Sequence, residues 1–242
     1  MPIRPVKLST SRHEGLTMTY APLHTEKQNG CLISIYADES PESPRDWDNL
    51  GTMTCWHRRY VLGDEQPRES VPLYLARLVN DLWLDDYKAH RLYREAGESW
   101  EDLYGISESW FEHRWSADGC ARLFDAISAK AVILPLYLYD HSGITMNTTG
   151  FHCPWDSGQL GFIHASLEDV RREYGVRRVS PKLRQTVEDA LCAEVEVYDD
   201  YLRGNVYGYV IERDGDHVDS CWGYFGDYKE HCLGEARRLC CQ

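Results

Sequence analysis

The chain has 242 residues, of which 43% are hydrophobic and 12% aromatic, and its formal net charge at pH 7 is −13. That composition can bury a substantial core, which excludes a disordered chain. The longest apolar run is far shorter than the roughly 20 residues needed to cross a bilayer, and the basic N-terminus lacks the apolar segment of a secretory signal. We therefore expect a cytoplasmic protein.

The acidic charge also narrows the class of partner. Binding to a nucleic-acid backbone requires Lys and Arg side chains that neutralise phosphates, so this chain is not expected to contact nucleic acid directly. A basic protein surface, such as one that normally binds nucleic acid, would instead be attracted to it.

The first half of the chain predicts one strand and two principal helices. Residues 1–30 are polar and contain several Pro and Gly residues, which predicts an extended or irregular arm. The run CLISIYA at 31–37 predicts a strand. Apolar residues at three- and four-residue spacing predict one long helix over 71–96. Short helical segments are expected within 99–115, and a further helix within 117–130.

The second half alternates strands and helices more clearly. AVILPLYLYD at 131–140 predicts a buried central strand, and LGFIHAS at 160–166 predicts the strand that returns beside it. The segment 180–204 begins with a Ser-Pro cap and ends at a Gly, which predicts a well-defined helix. Two β-rich runs joined at Asp214-Gly215 predict a hairpin. A last helix is expected near the C-terminus.

This order of elements indicates the fold class. The sequence contains no internal repeat and no low-complexity linker. We predict an α+β fold, with a mostly antiparallel sheet and helices packed on one side. Residues 31–242 are expected to form a single domain that follows the arm at 1–30.

The connection DHSGITMNTTGFHCPWDSGQLGFI, at 140–163, contains many residues capable of chemistry. In an enzyme, Cys153 would be the nucleophile, and His141 or His152 would be the base. The candidate catalytic residues of this hypothesis are Asp140, His141, Cys153 and Asp156. A simpler interpretation is that the polar side chains satisfy the backbone of a long loop.

No motif assigns a metal or a cofactor. Cysteine and histidine residues lie near one another at three places, but none has the two-pair spacing of a structural zinc site. A zinc site assembled from distant segments is the alternative. Glycine-rich phosphate-binding motifs are absent from the sequence, and the nine cysteines are irregularly spaced without a CxxC pair. The sequence therefore predicts reduced thiols, no cofactor and no bound metal.

The helix predicted at 180–204 carries acidic residues opposite its apolar face. These candidate partner-binding residues are Glu188, Asp189, Glu196, Asp199 and Asp200. Spaced carboxylates on one side of a helix can imitate the charge of a nucleic-acid backbone and occupy a basic cleft on another protein. An ordinary solvated helix face is the alternative.

Four blocks of sequence support a resemblance: PRDWDNLGTMTCWHRRYVLGDE, YDHSGITM, CPWDSGQLGFI and VDSCWG. At these blocks the chain resembles a family of uncharacterised proteins of bacteriophages and mobile elements. The resemblance extends from about residue 31 to the end, with the blocks in the same order. It implies a phage setting and assigns no catalytic activity.

Two classes of function compete in that setting. The first is a phage accessory protein that inhibits a host nucleic-acid-targeting defence complex, of the anti-CRISPR or anti-restriction type, by acidic-surface protein binding. Its partner would be a host protein with a basic nucleic-acid-binding surface, in the cytoplasm of the infected bacterium, without direct contact to nucleic acid or membrane. The second is a small hydrolase or transferase, which requires His141 to lie within reach of Cys153 or Asp156 in a pocket.

Overall fold

The computed structural model describes residues 21–101, 117–153 and 155–241. The strands in these ranges are β1 (His24–Gln28), β2 (Cys31–Ala37), β3 (Thr52–Cys55), β4 (Ala131–Asp140), β5 (Ile144–Asn147), β6 (Ser157–Ser166), β7 (Val206–Arg213) and β8 (Asp216–Phe225). The α-helices are α1 (Val71–Trp83), α2 (Asp86–Glu101), α3 (Ala117–Ser128), α4 (Leu167–Glu173), α5 (Pro181–Arg203) and α6 (Cys232–Leu239). The predicted α+β class is confirmed.

The chain divides into two compact units. One unit combines residues 1–42 with 204–242, and the other spans 43–203. Each unit has its own four-stranded antiparallel sheet in the described ranges. The expectation that 31–242 forms a single domain stays a prediction.

Sheet A belongs to the first unit and has the strand order β1-β2-β7-β8. Its two tight hairpins turn at Asn29-Gly30 and at Asp214-Gly215, and all four residues have positive φ angles, as this class of turn requires. The hairpin at Asp214-Gly215 is as predicted. The predicted arm at 1–30 contains strand β1, while residues 1–20 lie outside the described residues.

Sheet B belongs to the second unit and has the order β3-β6-β4-β5. Successive side chains of β4 point to opposite faces of sheet B, and both faces are buried. Val132 and Leu136 pack with residues of α5, such as Leu191, whereas Ala131 packs with residues of α1 and α3, such as Leu75. Helices therefore cover both faces of sheet B, which differs from the predicted one-sided packing.

The long helix predicted at 71–96 is two helices. Leu84 has a left-handed backbone conformation and ends α1, and its N–H donates to the carbonyl of Asn80. The side chain of Asp85 then accepts the N–H of Lys88 at 2.9 Å, which caps the start of α2. The apolar periodicity continues across the break, so periodicity alone did not reveal it. The short helical segments predicted within 99–115 fall largely outside the described residues.

Candidate functional site

The 140–163 segment is a hairpin followed by a short loop, and not one long connection. Strand β4 ends at Asp140, the chain turns at 141–143, and β5 pairs back against β4. Ser142 and Gly143 in this turn have positive φ angles. The segment then returns to sheet B at Ser157, where β6 begins. Strand β5 is missing from the sequence prediction.

This arrangement brings three of the four candidate catalytic side chains together. The carboxylate of Asp156 lies 3.3 Å from Nδ1 of His141, and it accepts a hydrogen bond of 3.7 Å from the thiol of Cys153. The backbone N–H of Asp140 donates to the carbonyl of Asp156 at 2.8 Å. We call Asp140, His141, Cys153 and Asp156, together with Arg59, the loop cluster.

Arg59 was not among the predicted site residues. It follows β3 in the run CWHRRY, and its guanidinium forms an ion pair with the carboxylate of Asp140. Nearby, Nδ1 of His57 accepts the backbone N–H groups of Arg59 and Tyr60 at 3.2 and 3.1 Å. Burial lowers the pKa of His57, and the charge of Asp140 opposes that shift. The aromatic ring of Tyr60 stacks on His57.

The loop cluster is open to solvent. The side chain of His141 is 61% exposed, and Trp155, which precedes Asp156 in sequence, is 85% exposed. Two shallow clefts in the second unit are lined by residues of 65–77 and of 88–126, and the loop cluster lines neither of them. The alternative base, His152, is also exposed.

The geometry of the loop cluster disfavours Cys153 as a nucleophile and fits His141 as a base. Cys153 donates to a carboxylate, which is an acceptor for the protonated thiol, whereas a cysteine nucleophile requires a base that removes the proton. His141 and Asp156 do have the arrangement of a base and its orienting carboxylate. Within the described ranges, no group of three or more His, Cys, Asp or Glu residues is placed to hold a metal ion.

The structure separates the five predicted acidic residues of α5 into two groups. Asp199 is structural, because its Oδ1 accepts hydrogen bonds of 2.7 Å from both Thr145 Oγ1 and the N–H of Met146 in β5. Glu188 is half-buried and lies 3.7 Å from the guanidinium of Arg184 one turn earlier. These two carboxylates border the buried face of the helix.

The remaining three carboxylates define the outer face of α5. Asp189 and Glu196 are exposed, and Asp200 is half-buried. On a regular α-helix they fall within a band of about 40° and extend over about 16 Å. Asp189 accepts a hydrogen bond from Gln185 in the preceding turn. We call Asp189, Glu196 and Asp200 the acidic stripe.

A buried charge network in the same unit was also missed by the sequence prediction. The guanidinium of Arg45 donates two hydrogen bonds to Asp64, at 2.9 and 2.6 Å, and one of 3.1 Å to Glu194 of α5. Glu194 also accepts the backbone N–H groups of Leu50 and Gly51. Burial raises the pKa of Glu194, and its ion pair with Arg45 opposes that shift. We call Arg45, Asp64 and Glu194 the buried network after the buried guanidinium at its centre, although Asp64 itself lies at the surface.

Comparisons with protein-family models, with curated proteins and with solved structures found no match to this chain. Among the helices in the described ranges, none is long and apolar enough to span a membrane. The two candidate functional surfaces of the described residues are the acidic stripe and the loop cluster.

Proposed function

We propose that this chain is a phage accessory protein that inhibits a host nucleic-acid-targeting defence complex, of the anti-CRISPR or anti-restriction type. In this proposal the acidic stripe binds a basic protein surface that would otherwise hold nucleic acid. The phage setting follows from the resemblance at the four sequence blocks, and the mode of action follows from the charge.

The acidic stripe is the observation on which this proposal depends. Helix α5 is anchored on its inner side by buried residues such as Leu191 and Val195, so its outer carboxylates are held on a rigid element. Asp189 and Glu196 project from the side opposite that core and are exposed to solvent. Because the backbone that carries these carboxylates is already ordered, the chain loses little conformational entropy when a basic partner binds it.

The structure also changes which residues should be mutated to test the proposal. Reversing Asp199 or Glu188 would disturb the contact with β5 or the ion pair with Arg184, and a loss of binding would then be ambiguous. The variant D189K/E196K reverses two exposed charges of the acidic stripe. The variant E39K/E42K is a matched control, because it makes the same change in charge at two other exposed residues.

The test is an affinity pull-down from bacterial lysate with the wild type and both variants, followed by mass spectrometry. We expect the wild type and E39K/E42K to retain the same nucleic-acid-binding defence protein, and D189K/E196K to lose it. Added DNA or RNA should compete with the wild-type chain for that partner. Equal retention by all three chains would overturn the assignment of the acidic stripe.

A second candidate function is supported by the convergence in the loop cluster. The His141–Asp156 pair could act as a general base and its orienting group in a hydrolase or transferase. Cys153 would then be a neighbour of the dyad and not the nucleophile, because its thiol donates to the same carboxylate. This candidate has the convergence that catalysis requires, but the side chain of His141 is 61% exposed to solvent.

The two functions are distinguished by a screen of ester, phosphodiester and peptide substrates. If the loop cluster is catalytic, His141→Gln should abolish turnover, while Cys153→Ser should retain most of it. D189K/E196K should leave turnover unchanged. Absence of turnover on all three substrate classes, combined with specific partner capture, would favour the inhibitor.

A further inference from the structure

The first unit contains a cluster of thiols that neither proposed function uses. Five of the nine cysteines belong to this unit, namely Cys31, Cys221, Cys232, Cys240 and Cys241, and all are free. Cys31 begins β2, and Cys240 follows the last residue of α6. Both side chains are buried in the same hydrophobic cluster of this unit, and the thiol of Cys31 is among the groups that act on the thiol of Cys240.

The surroundings of these two thiols are different. The guanidinium of Arg213, which is paired with Cys31 across β2 and β7, donates a hydrogen bond of 3.2 Å to the sulfur of Cys31. A cation that donates to sulfur favours the thiolate, which is the reactive form. Burial and the neighbouring Cys31 raise the pKa of Cys240 to about 11. The sulfur of Cys31 is therefore bound by a guanidinium, while Cys240 keeps its proton.

The C-terminal segment is held against β1 and β2 by side-chain contacts. Asn29 donates to the carbonyl of Cys240 at 3.2 Å, and Gln28 donates to the sulfur of Cys241 at 3.2 Å. Cys31 and Cys240 are buried, but Arg213 beside them is exposed. A small oxidant can thus approach along Arg213 when the end of the chain opens locally.

We propose that Cys31 and Cys240 are a thiol–disulfide couple whose oxidant is a peroxide. The Cys31 thiolate attacks one oxygen of hydrogen peroxide, the O–O bond breaks, and hydroxide leaves as a sulfenic acid forms on Cys31. The sulfur of Cys240 then attacks the sulfur of Cys31, the S–O bond breaks, and water leaves with the thiol proton. Two thiols and one peroxide become one disulfide and two water molecules. The new bond joins the end of α6 to β2.

The experiment uses the full chain in the C241S background, because trypsin releases Cys240 and Cys241 in one peptide, 239–242, whereas Cys31 lies alone in 28–45. The folded protein is treated with peroxide, blocked with N-ethylmaleimide, digested without reductant and analysed by mass spectrometry. We expect a cross-link between these two peptides that dithiothreitol removes. The cross-link should be absent after Cys31→Ser, and Cys153→Ser in the other unit should not affect it.

Arg213→Gln separates a reactive site from simple proximity of two cysteines. It removes the charge at an exposed position, so the fold should be retained. We expect cross-linking to slow by about tenfold, because no cation then binds the attacking sulfur of Cys31. Circular dichroism of each variant shows whether it has folded. The proposal would be overturned by a cross-link that forms only when Cys241 is present, or by one that joins Cys221 or Cys232 instead. It would also be overturned if Arg213→Gln left the rate of cross-linking unchanged.

Discussion

The buried network and the loop cluster both contain ion pairs of arginine with carboxylate in the unit that spans 43–203, but the exposure of the two arginines differs. The side chain of Arg45 is 6% exposed, and its partner Glu194 also binds two backbone N–H groups. The side chain of Arg59 is 67% exposed, although it also forms an ion pair with a carboxylate. The guanidinium is thus buried in one place and accessible to solvent in the other, while Asp140 and Glu194 are both largely covered.

This difference shows that burial, and not the identity of the residues, separates a structural charge from one available for binding. The same contrast occurs within α5, where Asp199 is tied to β5 and Asp189 faces solvent. A charged residue whose hydrogen-bonding capacity is consumed by the protein cannot also recognise a partner.

The largest effect is expected when the buried network is broken. Arg45→Met removes the guanidinium and leaves Asp64 and Glu194 without their counter-charge, which should lower the free energy of unfolding by about 3 kcal/mol or more. Urea unfolding of the full chain measures this change. Arg59→Met is the matched control and should cost about 1 kcal/mol or less, because the charged side chain that it removes is 67% exposed. Similar losses in the two variants would contradict the contrast.

A smaller effect is expected on α5. Asp199→Ala leaves the N–H of Met146 and the hydroxyl of Thr145 without their acceptor, which should cost about 1–3 kcal/mol. Asp189→Ala should change the free energy of unfolding by about 0.5 kcal/mol or less, because this side chain is exposed. If Asp189→Ala proved the more destabilising of the two, the division of the acidic residues would be wrong.

The smallest effect concerns an ion pair of the first unit and depends on pH. Arg237 of α6 donates two hydrogen bonds to Glu26 of β1, at 2.6 and 2.7 Å, and this bonding lowers the pKa of Glu26 from 4.5 to about 2. A lowered carboxyl pKa contributes stability that is complete above pH 4.5 and is lost as pH falls toward 2. After allowance for solvent screening, the difference between wild type and Glu26→Gln should reach about 1 kcal/mol. Unfolding curves between pH 2 and 7 that show a constant difference would contradict this assignment.

The sequence predicted much of the fold because its strongest signals are local. Apolar periodicity identified α5, and Asp214-Gly215 identified the hairpin between β7 and β8. An equally strong local signal was present but missed: Asn29-Gly30 is the same kind of turn, and it joins β1 to β2. The break between α1 and α2 was less visible, because it depends on the left-handed conformation of Leu84.

The candidate site was only partly predictable. His141, Cys153 and Asp156 are close in sequence, and the pairing of the end of β4 with the start of β6 brings them together. Arg59 reaches Asp140 from 81 positions away, and Arg45 reaches Glu194 from 149 positions away. Such distances depend on strand order, which no local pattern specifies. For the same reason, the helical pattern of α5 could not show that Asp199 faces β5.

The most direct test of the proposed function is the equilibrium affinity for the captured partner, measured at low and at high salt. For D189K/E196K we predict a loss of about tenfold or more at low salt, decreasing as added salt screens the charges. E39K/E42K should bind like the wild type. If both variants lost affinity equally, net charge alone would explain binding, and if neither lost affinity, the acidic stripe would not be the binding surface.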